Sequence, residues 1–163
     1  MKVIQTKVMK RIITTILCLA ALFAATSCQD KLDIVFSDYY TYIDDGNGSS
    51  SFTVEKNDES VLTMFIHVSA PIQDDMITVS YEVTPGNGLK EGVDYKLVSS
   101  SKTIAFQPGI YRMPVRIQVL KSSALDETKD NTITITLVGS SAGLVLGVPG
   151  PDAKYKSFVI KKI

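Results

Sequence analysis

Apolar and polar positions alternate along much of this chain. In "LTMFIHV", Leu62–Val68, the residues Leu62, Met64, Ile66 and Val68 share one face of an extended strand. "ITVSYEV", Ile77–Val83, sets Ile77, Val79, Tyr81 and Val83 against Thr78, Ser80 and Glu82. "MPVRIQV", Met113–Val119, sets Met113, Val115, Ile117 and Val119 against Pro114, Arg116 and Gln118. "TITITL", Thr132–Leu137, sets Ile133, Ile135 and Leu137 against three threonines. A period of two in Val, Ile, Thr, Tyr and Phe is the mark of a half-buried strand. Shorter runs at Asp33–Phe36, Ser51–Val54, Tyr95–Val98, Lys102–Phe106 and Tyr155–Ile160 are further strand candidates. Turn formers separate them: "DDGNGSS", "EKNDES", "TPGNGLKEG", "QPG" and "VPGPD". A sustained helical period is missing from this part of the chain, and Ser123–Asp130 offers at most one helical turn. Many short strands, each with one apolar face, predict an all-β domain built as an antiparallel two-sheet β-sandwich. Pro114 lacks an N–H, so its place inside a strand pattern predicts an edge strand or a bulge.

The N-terminus follows a different pattern. Lys2, Lys7, Lys10 and Arg11 form a basic head, and "IITTILCLAALFAA", Ile12–Ala25, is a short apolar run. A bilayer core needs about 20 helical residues, more than this run supplies. A basic head, a short apolar body and small residues at its end make the pattern of a secretory signal peptide. The alternative is a transmembrane anchor, against which Gln29, Asp30, Lys31 and Asp33 end the apolar run abruptly. "ATSC", Ala25–Cys28, resembles a bacterial lipobox, with Ala25 where the common form has Leu. The resemblance implies that Cys28 is acylated and becomes the first residue of the mature protein. Two or three acyl chains anchor a protein stably, whereas one does so only marginally. The other reading is an ordinary cleavage site beside an incidental cysteine. The predicted organisation is a signal peptide over 1–27, a lipidated tether over 28–36 and a sandwich domain over 37–163.

Removing the signal changes the charge. All 17 acidic residues lie after it, while four of the 17 Lys and Arg lie within it. The remaining 13 basic residues leave a net charge of −4 on the mature chain. A mildly acidic body lacks the basic footprint that nucleic acid requires. Cys18 leaves with the signal and Cys28 is the lipid site, so no disulfide is expected. The core holds by packing alone, which a domain of this length can do.

Three consecutive stretches resemble the Calx-beta domain: "GVDYKL" at Gly92–Leu97, "KTIAFQPG" at Lys102–Gly109, and "MPVRIQV" after them. "LDETKDNTITITL" matches the acidic turn and strand that follow in that family. Similar immunoglobulin-like sandwich domains recur in Bacteroidetes-type surface lipoproteins of starch-utilisation-like glycan uptake systems, and "LGVPGPDAKYKSFVIKKI" looks like their endings. The resemblance implies an outer-membrane lipoprotein at the cell surface or on the periplasmic face.

Each motif residue also has a structural reading. Pro108-Gly109 makes a tight turn, Asp94 bonds a neighbouring backbone N–H, and Tyr95 fills the core. Calx-beta domains of the ion-exchanger type bind calcium through acids in two turns. Here those turns read "TPGNG", Thr84–Gly88, and "LKSS", Leu120–Ser123. Calcium needs several carboxylate oxygens, so neither metal nor other cofactor is expected. Asp44-Asp45-Gly46-Asn47-Gly48 resembles the start of a calcium loop but lacks its closing glutamate, and reads as a solvated turn. His67, the only histidine, sits in an apolar strand and is expected to face solvent or make a hydrogen bond. Without a nucleophile elbow, P-loop or dinucleotide fingerprint, an enzyme is not expected.

One cluster suits a sugar. "SDYYTYIDD", Ser37–Asp45, carries Tyr39, Tyr40 and Tyr42. Aromatic rings contact sugar rings, and phenols add hydrogen bonds. The structural alternative is that Tyr40 and Tyr42 alternate into the core and Tyr39 is incidental. Two functions follow. One is a lipid-anchored module contributing to polysaccharide capture. The other is a scaffolding envelope lipoprotein that meets an outer-membrane receptor and takes no small ligand.

Overall fold

A computed structural model describes residues 38–99, 101–122 and 124–163, which lie within one compact unit, Phe36–Ile163. The predicted signal peptide, the whole tether with Cys28 and the Asp33–Phe36 strand candidate lie outside the described residues. Ten strands follow in order: β1 Tyr40–Asp44, β2 Ser51–Val54, β3 Ser60–Ser69, β4 Ile77–Pro85, β5 Tyr95–Leu97, β6 Thr103–Phe106, β7 Arg112–Val119, β8 Thr132–Ser140, β9 Val145–Leu146 and β10 Ser157–Lys162. Among the described residues there is no helix. The segment after Ser123 is instead an Asx-type turn. The Asp126 carboxylate accepts from the Thr128 N–H at 3.0 Å and from its hydroxyl at 2.7 Å. Those bonds lower the Asp126 carboxyl pKa from its ordinary value.

The strands form two five-stranded sheets. The first runs β5-β7-β3-β1-β9 and the second β2-β10-β8-β4-β6. Both are mixed, which corrects the antiparallel expectation: β1 pairs with β9, and β2 with β10, in parallel. Their apolar faces contribute to one core. It includes Ile43, Met64, Ile66 and Ile117 from the first sheet and Tyr81, Ile135, Leu137 and Phe158 from the second. Side chains of this size each stabilise the fold by about 1.5–3 kcal/mol when fully buried.

Pro114 is neither on an edge strand nor at a bulge. β7 lies between β5 and β3. The Val68 N–H donates to the Tyr111 carbonyl, and Phe65 faces Pro114 in the same register. Ladder bonds alternate along an antiparallel pair. The Pro114 nitrogen therefore points away from β3, to the side where β5 has already ended at Leu97. An interior strand tolerates proline here because its missing N–H falls at a position that makes no ladder bond to β3. The irregularity falls elsewhere, between Ser80 and Tyr81, where β4 shifts register on β8.

The turn expected at Pro108-Gly109 is present. Gly109 has φ +81°, and the Ile110 N–H donates to the Gln107 carbonyl at 2.9 Å. This is the geometry of a type II turn, which needs a positive φ at its third residue. Asp94 accepts from the Lys90 N–H at 2.9 Å, and Tyr95 is buried, as their structural readings required.

Candidate functional site

β1 determines what the first sheet shows to solvent. Thr41 and Ile43 are fully buried, whereas Tyr40 and Tyr42 are only half-buried. The two tyrosines therefore point away from the core, which corrects the structural alternative for them. Thr41 is accommodated inside because its hydroxyl donates to the His67 carbonyl at 2.8 Å. A polar residue can occupy a buried position when its hydrogen bond is made.

Strand register then assembles the outer face. Tyr42 lies opposite His67 on β3, and His67 lies opposite Arg112 on β7. Three residues far apart in sequence thus form one row across three strands. The Tyr42 and His67 rings stack at 4.5 Å and 5°. Tyr40 sits 5.9 Å from Tyr42, and Tyr155 meets Tyr42 edge-on at 6.3 Å. One row along, Phe65 lies opposite Asp44 and Pro114, with its ring 6.5 Å from His67. The Arg112 guanidinium lies over the Phe65 ring, 3.6 Å from its centroid.

Asp44 fixes the imidazole. Its Oδ1 accepts from His67 Nε2 at 2.9 Å and from the Gly46 N–H at 2.8 Å. His67 thus has its expected hydrogen bond, and its Nδ1 edge is turned from the carboxylate. Tyr155 adopts φ +60°, a left-handed conformation uncommon for an aromatic residue. Two bonds hold it there: its phenol donates to the Gly48 carbonyl at 3.0 Å, and its carbonyl accepts from the Ile43 N–H at 2.9 Å. Burial, with the Asp44 and Tyr40 charges adding to it, pushes the Tyr42 phenol above its usual range. Tyr42 is therefore a neutral donor and acceptor at physiological pH.

Tyr39 does not join this group. It is 50% exposed just before β1, and among the described residues its ring contacts no other. Phe65, Arg112 and Tyr155 are members that the Tyr39–Tyr42 cluster did not announce. Two open depressions lie elsewhere. One, of about 460 Å³, includes Leu125, Lys129, Asn131 and Lys161 in its lining, and the other, of about 320 Å³, is formed by residues 148–154.

One of the two turns compared with calcium-bearing turns, the one that begins at Leu120, meets a lysine ammonium. Lys162, at the end of β10, is 2% exposed. Its ammonium donates to the Leu120 carbonyl, to the Ser122 hydroxyl at 2.7 Å and to the Asp94 carbonyl at 3.4 Å. The Ser122 hydroxyl in turn donates to the Asp94 carboxylate. Among the described residues, no three His, Cys, Asp or Glu gather as a metal site would require.

No protein-family model matches the chain, and no curated protein matches it.

Proposed function

We propose that this chain is an outer-membrane lipoprotein, anchored through Cys28, whose sandwich captures polysaccharide without catalysis for a surface glycan-uptake system. In this reading the two sheets form an immunoglobulin-like sandwich similar to Calx-beta domains. The observation that carries the binding function is the outward turn of β1. It gathers Tyr40, Tyr42, Phe65, His67 and Tyr155 on the solvent side of the first sheet rather than in the core. These rings pack on one another and stay half-buried on the solvent side, outside the core shared by the two sheets. Rings bearing hydroxyl and imidazole groups suit a ligand that is apolar on its ring faces and polar at its rim, as a sugar is. The Asp44–His67 pair has no Ser or Cys hydrogen-bonded to it among the described residues, which favours binding over nucleophilic catalysis.

Affinity electrophoresis through gels containing plant and microbial polysaccharides tests this reading. Wild-type protein is expected to be retarded by at least one polymer, and Tyr42→Ala to migrate freely through the same gel. Unretarded migration in every gel, together with co-purification of an outer-membrane receptor, would establish the scaffolding function instead.

A further inference from the structure

We propose that the polysaccharide is acidic, with the Arg112 guanidinium receiving a sugar carboxylate beside the Tyr42–His67 row. This rests on the polysaccharide-binding reading and names the class of sugar.

The guanidinium is held before any ligand arrives. Its position over Phe65 is a cation–π contact. The turn after β1 closes the other side. A Cβ on Gly46 would fall 2.6 Å from Arg112 Nη2 and 3.1 Å from the Phe65 ring, so a side chain there would push the guanidinium from its place. Gly46 also has φ +86°, a conformation that glycine adopts without strain. An arginine fixed in a slot loses less side-chain freedom on binding than a free one.

Its charge is also uncommitted. Among the described residues Arg112 has no carboxylate within ion-pair distance. The acid in the neighbouring row, Asp44, already accepts from His67 and Gly46. The planar guanidinium fork matches a carboxylate in two parallel hydrogen bonds, a geometry a lysine cannot reproduce.

The surrounding charge points the same way. The mature chain is acidic overall, yet the outer face of this sheet is not. Arg112 and Arg116 are exposed on that face of β7, and Lys96 on β5 faces Gln118 of β7. Four residue steps along the strand separate the arginines by about 13 Å. Cations in line along a strand suit an extended chain with repeated anionic groups. Nucleic acid fits less well, because its dense charge would meet repulsion from the rest of an acidic domain.

The test uses full-length protein in detergent and three polyuronates: polygalacturonate, alginate and hyaluronan. Each is compared with its carboxyl-reduced counterpart. At least one polyuronate is expected to bind about tenfold or more tightly than its reduced form, with affinity falling as salt rises. Arg112→Gln should remove that preference, Arg112→Lys should restore it only in part, and both should melt with wild type. Equal binding to reduced and native polymers would overturn the acidic class while leaving polysaccharide binding intact. So would an Arg112→Gln protein that keeps the preference, or equal binding to single-stranded DNA. Binding only to uncharged polysaccharides would do the same. Binding to no polysaccharide of either kind would remove the underlying reading as well.

Discussion

Lys162→Met is expected to destabilise the domain, although it replaces a buried charge with an apolar side chain of similar length. Lys162 is 2% exposed, and its ammonium serves three acceptors from two separate segments, Leu120–Ser122 and Asp94. The Asp94 contact, at 3.4 Å, is long and contributes least. The other two are charge-assisted hydrogen bonds, and a buried acceptor stranded without a donor costs about 1–3 kcal/mol. Removing the ammonium relieves part of that loss, because desolvating it costs several kcal/mol in the folded state. The expected net loss is about 2–3 kcal/mol. For a domain of this size that corresponds to a fall of roughly 6–15 °C in Tm. Thermal and urea unfolding of the two proteins measures it.

A second signature separates this account from a simple packing defect. Burial lowers the Lys162 pKa from its ordinary 10.5. Below 10.5 the unfolded chain therefore holds the proton more firmly than the folded one, and this group's contribution to stability rises with pH. Tyr42, Tyr81 and Tyr95 act oppositely. Burial raises their pKa values, so their contribution fades as pH climbs past about 10. They are present in both proteins and cancel in the difference. The stability gap between wild type and Lys162→Met should thus widen as pH approaches 10.5. A variant as stable as wild type, or more so, would show that the ammonium is not what ties these loops to β10.

Two further outcomes are expected. Cys28→Ser should convert a protein that partitions into detergent into a soluble one, and intact mass spectrometry of wild type should show the acyl chains; an unmodified wild-type Cys28 would refute the anchor. Millimolar calcium should leave Tm unchanged, because Lys162 already places a cation among the oxygens of Leu120, Ser122 and Asp94; a clear rise reversed by chelator would refute this.

The long strands were legible because one face of each is buried. β3, β4, β7 and β8 contain the four alternating segments, and their apolar positions are core positions. Periodicity reports burial only. It does not report which strand lies alongside or in which direction, so the parallel pairs β1–β9 and β2–β10 left no trace in it. β9, with two residues, is too short to carry a period at all.

β1 was missed as a strand for a more specific reason. Its inward residues are Thr41 and Ile43, and its outward ones are Tyr40 and Tyr42. The bulkier, more aromatic residues face solvent, so the sign of the alternation is reversed. Lys162 was missed for the converse reason. "FVIKK" ends in a pair of lysines that looks solvated, yet Phe158, Ile160 and Lys162 fall on one face and all three are buried. Extending the period by one more step would have found it.

Both misses break the same rule, that large apolar residues go inside and charges outside. Such violations persist where something compensates them or where they serve a function. At Lys162 the compensation is complete and internal, because each polar contact ends on another part of the same chain. On the outer face of the first sheet it is incomplete. Asp44 satisfies His67, and Gly48 satisfies the Tyr155 phenol, but Arg112 has a ring beneath it and, among the described residues, no acid within ion-pair distance. The ammonium is therefore a fastening, whereas the guanidinium has no carboxylate partner among the described residues. That difference is why the binding function is proposed for the first sheet and not for the turns compared with calcium-bearing ones.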